Sequence, residues 1–439
     1  MQRILHLAEI RIFSRTLARR IGLILLRGVP IVAITAATLI LSPALNRGVL
    51  VEARAISMHW VGTWSTPPQA QVSGRPNSAS FNNQTLRMIV RASIGGHQVR
   101  VRLSNTFGAQ PLTVGGVHIA LRSKEANIVP GSDRPVTFGG AKSTTIWTGA
   151  MAVSDPVDVD VPPLSDLAVS IYLPGEVPDT FPITYHGSAR STNYVSTAGD
   201  FTASTEFPVG STKQSWYFVT CLEVMAPAQA GAVVAFGDSI TDANISTPDT
   251  NSRWPNELAI RLNAAHHEMG VLNQGTGGDR ILHDGVGGSN DSGLHRFDRD
   301  VLAQPGVTDV IVILGINDIR NRNPAEAVTA DEMIAGYKQM VLRAHARGIK
   351  IFGGTLLPFE NETFVVGAYT PEGEVKREAV NNWIRTSGAF DGVVDFEKAL
   401  RDPDHPTSLL AKYDCGDHLH PSDLGYKMMG DAVDLALLK

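Results

Sequence analysis

The chain has 439 residues, 43% hydrophobic and 18% charged, which suits one to three folded domains and excludes wholesale disorder. A formal net charge of −5 gives no reason to expect a nucleic-acid partner. Glycine (41) and proline (25) are plentiful, as a turn-rich β region requires.

The first 55 residues read as a targeting segment. Arg3, Arg11, Arg15, Arg19 and Arg20 form a basic leader with a single acid, Glu9. An apolar stretch from Val29 to Leu45 follows, broken by Pro30 and Pro43, and then Ala53-Arg54-Ala55, the small-x-small pattern of a cleavage site. The alternative is a membrane anchor, but the uninterrupted part, Ile31 to Leu41, is short for a span of about 20 residues. The expectation is a cleaved signal, a mature N-terminus near Ile56 and a secreted or periplasmic protein with no stable membrane span. Arg19-Arg20 raises a twin-arginine export route.

From residue 56 to 230 the apolar period is two. Val99, Val101 and Leu103 alternate with Arg100 and Arg102, and Val157, Val159 and Val161 with Asp158 and Asp160. Leu167, Val169, Ile171 and Leu173 alternate with Ala168, Ser170 and Tyr172. Turn clusters such as Gly95-Gly96 and Gly139-Gly140 separate these runs, and no helix of useful length is expected. This pattern predicts an antiparallel β-sandwich or jelly roll. Trp60, Trp64, Trp147 and Trp216 could stack on sugars, although core packing accounts for most of them as well. Met225 to Gly231 reads as the linker.

From 231 to 439 the pattern changes. Apolar runs at Ala232–Phe236, Val310–Leu314, Ile349–Phe352 and Val393–Val394 alternate with helical segments at Asn256–His267, Ala325–Arg347 and Val375–Ser387. Strands alternating with helices predict a parallel sheet covered on both faces, with ligands beyond the carboxyl ends of its strands. Ser239, in Gly237-Asp238-Ser239-Ile240-Thr241-Asp242, follows the first of these strands. A serine there can be a nucleophile, or Asp-Ser can be a plain helix cap. Asn273-Gln274-Gly275-Thr276-Gly277-Gly278 ends the next strand, either as a tight turn or as a loop whose backbone N–H groups approach a ligand. Gly315-Ile316-Asn317-Asp318 places a carboxamide at a strand tip, where it can donate to an oxyanion or cap a turn. Asp417-His418-Leu419-His420-Pro421 precedes the last helix, and its spacing lets one turn fold Asp417 onto His420; His418 should project elsewhere.

Taken in order, these four blocks resemble those of the SGNH hydrolases, also called the GDSL esterase/lipase family, with Ile240 in place of the name-giving leucine. The resemblance covers about Gly231 to Lys439 and implies a flavodoxin-like three-layer α/β fold. It implies Ser239 as nucleophile, His420 as general base and later acid, and Asp417 as the residue orienting it. The backbone N–H groups of Ser239 and Gly278 with the Asn317 side chain would form the oxyanion hole. No metal or cofactor is implied. Trp60-Val61-Gly62-Thr63-Trp64 and the strands after it resemble the front domain of secreted bacterial SGNH hydrolases similar to a xylanase-associated arylesterase.

The expected organisation is a signal peptide (1–55), a β-sandwich accessory domain (56–230) and an SGNH hydrolase domain (231–439). The expected activity is hydrolysis of carboxylic esters with short acyl groups, such as acetyl groups on polysaccharide or aryl esters. The alternatives are a catalytically inert glycan-binding protein and an acylhydrolase acting on longer chains. The intact set Ser239, Gly278, Asn317, Asp417 and His420 favours the enzyme. Export makes a Cys221–Cys415 disulfide chemically possible, stapling the domain junction to the catalytic loop; the other reading is two separate buried thiols.

Overall fold

The computed structural model describes residues 57–71, 78–285 and 290–438. The expected signal segment and the start near Ile56 lie outside the described residues. No helix among the described residues is long and apolar enough to cross a membrane.

Residues 57–227 build antiparallel sheets, as the period-two pattern dictates. The long strands Phe81–Arg91 and Asp166–Val177 pair at the centre of a seven-stranded sheet. A five-stranded sheet holds Met58–Ser65, Val219–Pro227 and Gly96–Ser104. Leu86, Met88, Leu167 and Val169 of the first share one apolar cluster with Val99, Val101, Leu103 and Leu222 of the second. The other face of the seven-stranded sheet is also covered, which the alternation did not predict. Ala168 and Ile89 lie under Ala126, Ile128 and Phe207, so Ala168 and Ser170 are buried despite their polar-face register. Arg87 is buried in that layer and donates to Ser170 Oγ and to the carbonyls of Ala126, Thr202 and Ser204. A small third sheet of Gln69–Ala70, Thr184–His186 and Trp216–Tyr217 faces the other half of the chain.

Of the four tryptophans, Trp64 and Trp216 are buried edge to face, 5.1 Å apart. Trp60 carries the Arg100 guanidinium at 4.0 Å, and only Trp147, 67% exposed, offers an open ring.

Two expectations are corrected here. Met225 to Gly231 is mostly not a linker: Met225, Ala226 and Pro227 continue a strand paired with Trp60, His59 and Met58. Three residues then lead into the next strand, Gly231–Gly237. Cys221 and Cys415 are both free thiols, Cys221 buried inside the five-stranded sheet, where burial pushes its thiol up to about 12.

The C-terminal half is a parallel five-stranded sheet ordered Met269–Gly275, Gly231–Gly237, Val307–Ile313, Lys350–Gly354, Gly392–Val394. Numbered along the chain this is the order 2-1-3-4-5, the flavodoxin-like arrangement. Helix Trp254–Ala264 packs with Asp423–Ala432, and Ala330–His345 packs with Pro371–Thr386. The Ala330 helix starts five residues later than the apolar pattern predicts, because Thr329 and Glu332 close a reciprocal capping box there.

The two halves meet at the backbone. Gly62 N–H donates to the Pro305 carbonyl at 2.9 Å. A Cβ on Gly270 would sit 2.0 Å from the Gly62 carbonyl oxygen, so only glycine fits at that crossing.

Candidate active site

Ser239 and Asn317 follow strands Gly231–Gly237 and Val307–Ile313, neighbours in the sheet at the point where its winding reverses. The turn into Ser239 is tight. A Cβ on Gly237 would lie 2.2 Å from Thr241 Oγ1 and 2.4 Å from the Ile313 carbonyl. Asp238 caps the short helix Ser239–Asp242 by accepting from Ile240 N at 3.0 Å. Burial pushes the Asp238 carboxyl up to about 7, opposed by the Ile240 N–H.

Ser239 Oγ lies 2.9 Å from His420 Nε2, and His420 Nδ1 lies 2.6 Å from Asp417 Oδ2. The other carboxylate oxygen of Asp417 accepts from the backbone N–H groups of Leu419 (2.9 Å) and His420 (2.8 Å). Burial pushes the Asp417 carboxyl upward, but the His420 ring and these two N–H groups outweigh it and hold the group well below the usual carboxylate range. An ionised carboxylate can only accept, so the Asp417 contact fixes the proton on Nδ1 and leaves Nε2 to accept from the Ser239 hydroxyl. His418 turns away with φ +61° and pairs with Asp414 at 2.6 Å.

The oxyanion candidates face the same serine end of the sheet. Gly278 is exposed with φ +77° and has open space where a side chain would stand. Among the described residues neither its N–H nor that of Ser239 donates to a protein acceptor. Asn317 Nδ2 donates to the Asp279 carbonyl at 3.0 Å, which leaves its second N–H available. Arg320 Nη1 donates to Asn317 Oδ1 at 3.0 Å, so the amide is held with its nitrogen as the free donor. Arg320 is itself gripped by buried Glu362, with both carboxylate oxygens at 2.9 Å.

Several of these supports were not read from the sequence. Arg320 stands one helical turn beyond Asn317, a spacing that could have flagged it. Arg296, buried, donates to the carbonyls of Gly237 (2.8 Å) and Gln274 (2.9 Å) and pairs with Asp279 at 2.7 Å, tying two strand ends to the glycine loop. From the antiparallel half, Gln69 reaches Thr276 and Asn290, and His186 reaches Asp242. No motif marks either residue. The buried His420 ring is met edge-on by Phe364, 5.4 Å between ring centres, in a loop whose Phe364 and Val366 are 61% and 80% exposed.

Asp414, Cys415 and Asp417 bring potential ligand atoms within 4.8 Å, the one such cluster among the described residues. Asp414 is engaged by His418 and Asp417 by His420. A cleft lined by Arg91, Arg122, Asp166, Asp249, Arg253 and Asn273 runs between the halves without reaching Ser239 or His420.

The GDSL-like Lipase/Acylhydrolase family model matches residues 235–428, from the first strand into the last helix. This half of the chain belongs to the GDSL-like lipase/acylhydrolase family. Membership assigns the GDSL-like half to the hydrolysis of ester bonds. Among solved structures, the chain is similar to a protein described as lipolytic and of the G-D-S-L family from Desulfitobacterium hafniense DCB-2. The two are 26% identical over 46% of this chain and 96% of that one, with a TM-score of 0.34. It is also similar to the acetyl xylan esterase AlAXEase (17% identity, 46% and 96% coverage, TM-score 0.35). A third is Est24, a carbohydrate acetylesterase from Sinorhizobium meliloti (16%, 46% and 95%, TM-score 0.36). A comparison with curated proteins returned no match.

Proposed function

We propose that the chain is an exported serine carboxylester hydrolase acting on short acyl esters through an acyl-enzyme. The observation that carries this reading is the unbroken hydrogen-bonded line Ser239 Oγ–His420 Nε2, His420 Nδ1–Asp417 Oδ2 beside unused backbone donors at Ser239 and Gly278.

In this mechanism His420 takes the hydroxyl proton as Ser239 Oγ bonds to the ester carbonyl carbon. The carbonyl oxygen becomes an oxyanion, received by the N–H groups of Ser239 and Gly278 and the spare N–H of Asn317. Asp417 stays ionised and stabilises the imidazolium. His420 then returns the proton to the departing alkoxide, the C–O bond breaks, and the alcohol leaves. Water repeats the sequence on the acyl-Ser239 ester, releasing the carboxylic acid and restoring the serine.

Phe364 packs against the base that protonates the leaving group, so it stands on the alcohol side of the scissile bond. The apolar surface beside His420 is thus one aromatic ring and the neighbouring valines, which suits an aryl or sugar-ring alcohol with a short acyl group better than a long chain. We read the antiparallel half as a β-sandwich that braces this site, on the strength of the cluster its two large sheets share. Export rests on the basic leader, the short apolar stretch and Ala53-Arg54-Ala55.

Hydrolysis of p-nitrophenyl acetate by the full chain and by Ser239→Ala tests the reading. A fall of about a thousandfold or more in kcat is expected for the variant. Equal rates would remove Ser239 from the mechanism.

A further inference from the structure

The oxyanion loop has a weak point. Gly278 has no side chain, is exposed, and no atom of the described residues lies within 4 Å of where its Cβ would stand, so among them packing does not hold it. Its left-handed φ of +77° is open to glycine but is not enforced by glycine. An unrestrained Gly-Gly pair would sample many orientations, and each would aim the Gly278 N–H differently.

What restrains it is the carbonyl on the same peptide plane. Gly277 C=O and Gly278 N–H belong to one planar trans peptide and point in opposite directions. Asn290 Nδ2 donates to the Gly277 carbonyl at 2.7 Å. Fixing that carbonyl on one side of the plane fixes the Gly278 N–H on the other.

Asn290 is in turn aligned from the antiparallel half. Gln69 Nε2 donates to Asn290 Oδ1 at 2.7 Å and also to Thr276 Oγ1, one residue before Gly277. Gln69 Oε1 accepts from the Gly187 N–H at 2.7 Å. That last bond sets the orientation of the Gln69 amide: its oxygen is taken by an N–H, so its nitrogen is the end presented to Asn290. Asn290 is oriented by the same logic, oxygen toward Gln69 and nitrogen toward Gly277. Gln69 is buried, in a strand pair with Tyr185, so its backbone is fixed by the small sheet.

We propose that Gln69 is a positioning residue for ester hydrolysis, aligning the Gly278 N–H in the oxyanion hole through Asn290 and Thr276. The antiparallel half thereby supplies part of the catalytic geometry without touching substrate. This rests on the acyl-enzyme reading above, with Gly278 as an oxyanion donor.

The test uses the full chain, with p-nitrophenyl acetate as substrate and a fluorophosphonate probe that reports covalent reaction at Ser239. Gln69→Ala and Asn290→Ala should each lower kcat roughly 10- to 100-fold with KM within a few-fold, since the lost alignment acts on the transition state. Gln69→Glu is nearly isosteric and keeps an acceptor for Gly187. It presents oxygen to Asn290 Oδ1, so Asn290 must flip and turn its own oxygen on the Gly277 carbonyl; kcat should fall at least as far as in Gln69→Ala. The double variant Gln69→Ala/Asn290→Ala should be no slower than the worse single variant, because both act through one peptide.

Wild-type kcat in folded Gln69→Ala and Gln69→Glu overturns the proposal, as does a loss that falls wholly in KM. Should Gln69 variants fail to fold, Asn290→Ala decides alone by the same criterion. The probe separates the two levels of inference. Labelling of Ser239 with undiminished turnover in the variants defeats only the role of Gln69, whereas no labelling of wild-type Ser239 defeats both.

Discussion

His186 of the antiparallel half lies with Nε2 3.0 Å from the carboxylate of Asp242, three residues beyond Ser239. Its Nδ1 is 3.0 Å from the Pro67 carbonyl, and its ring leans on Trp216 at 5.7 Å. A carbonyl oxygen thus faces one ring nitrogen and a carboxylate oxygen the other. The pair is buried on both sides, so it joins the helix that starts at Ser239 to the small sheet through a contact shielded from water.

Removing one partner of that pair should therefore cost more than removing an exposed one. His186→Ala leaves the buried Asp242 carboxylate without this hydrogen-bonding partner, and a loss of about 3 kcal/mol is expected. Urea unfolding of the two proteins measures it. A change under about 0.5 kcal/mol would mean that the contact carries nothing.

Phe364 should act on the alcohol moiety. Phe364→Ala is expected to raise KM for p-nitrophenyl acetate roughly 3- to 10-fold, the worth of one aromatic contact, while leaving KM for methyl acetate nearly unchanged. Equal effects on both esters would place the ring's role elsewhere, in supporting His420.

Asp238 sets a pH dependence of stability. Its folded carboxyl titrates near 7 and its unfolded one near 4. The folded state therefore holds the proton more tightly, and the stability this confers is present at low pH and lost as pH rises from about 4 through about 7. Asp238→Asn keeps an acceptor for Ile240 N without the charge. Relative to wild type it should gain about 1 kcal/mol or more between pH 5 and pH 8. A wild-type-minus-variant difference in Tm that is flat across that range would show the carboxyl to be ionised throughout.

The cysteines should titrate as two free thiols after unfolding without reductant. In the native protein Cys221 should be unreactive, being buried with its thiol pushed up to about 12. Recovery of both thiols only after reduction would restore the disulfide.

The parallel half was the more legible of the two. Runs such as Ala232–Phe236 admit one reading because a strand buried on both faces has no polar register to hide in, and the blocks at Ser239, Gly278, Asn317 and Asp417–His420 each end a strand or precede a helix. Helix starts were misplaced where a cap, Thr329 for instance, overrode apolar spacing. In the antiparallel half, alternation found the strands but not their second covering: Ala168 and Ser170 sit in the polar register, yet segments 126–128 and 201–207 close over them. Gln69 and His186 were illegible for a different reason. Their partners lie far along the chain, at Asn290 and Asp242, and long-range pairing leaves no local spacing to read.

The crossing of Gly62 over Gly270 has a consequence for how such a chain could be assembled or re-engineered. A carbohydrate-binding module on a tether can be cut away, shuffled or grafted, because its host does not depend on its shape. Here the two backbones touch with no room for a single methyl group, and a strand of one half runs almost without interruption into a strand of the other. A foreign front domain would have to reproduce that glycine crossing before it could hold anything else in register. The pair is expected to be inherited and replaced as one piece, and chimaeras joined near residue 228 should be insoluble rather than merely slow.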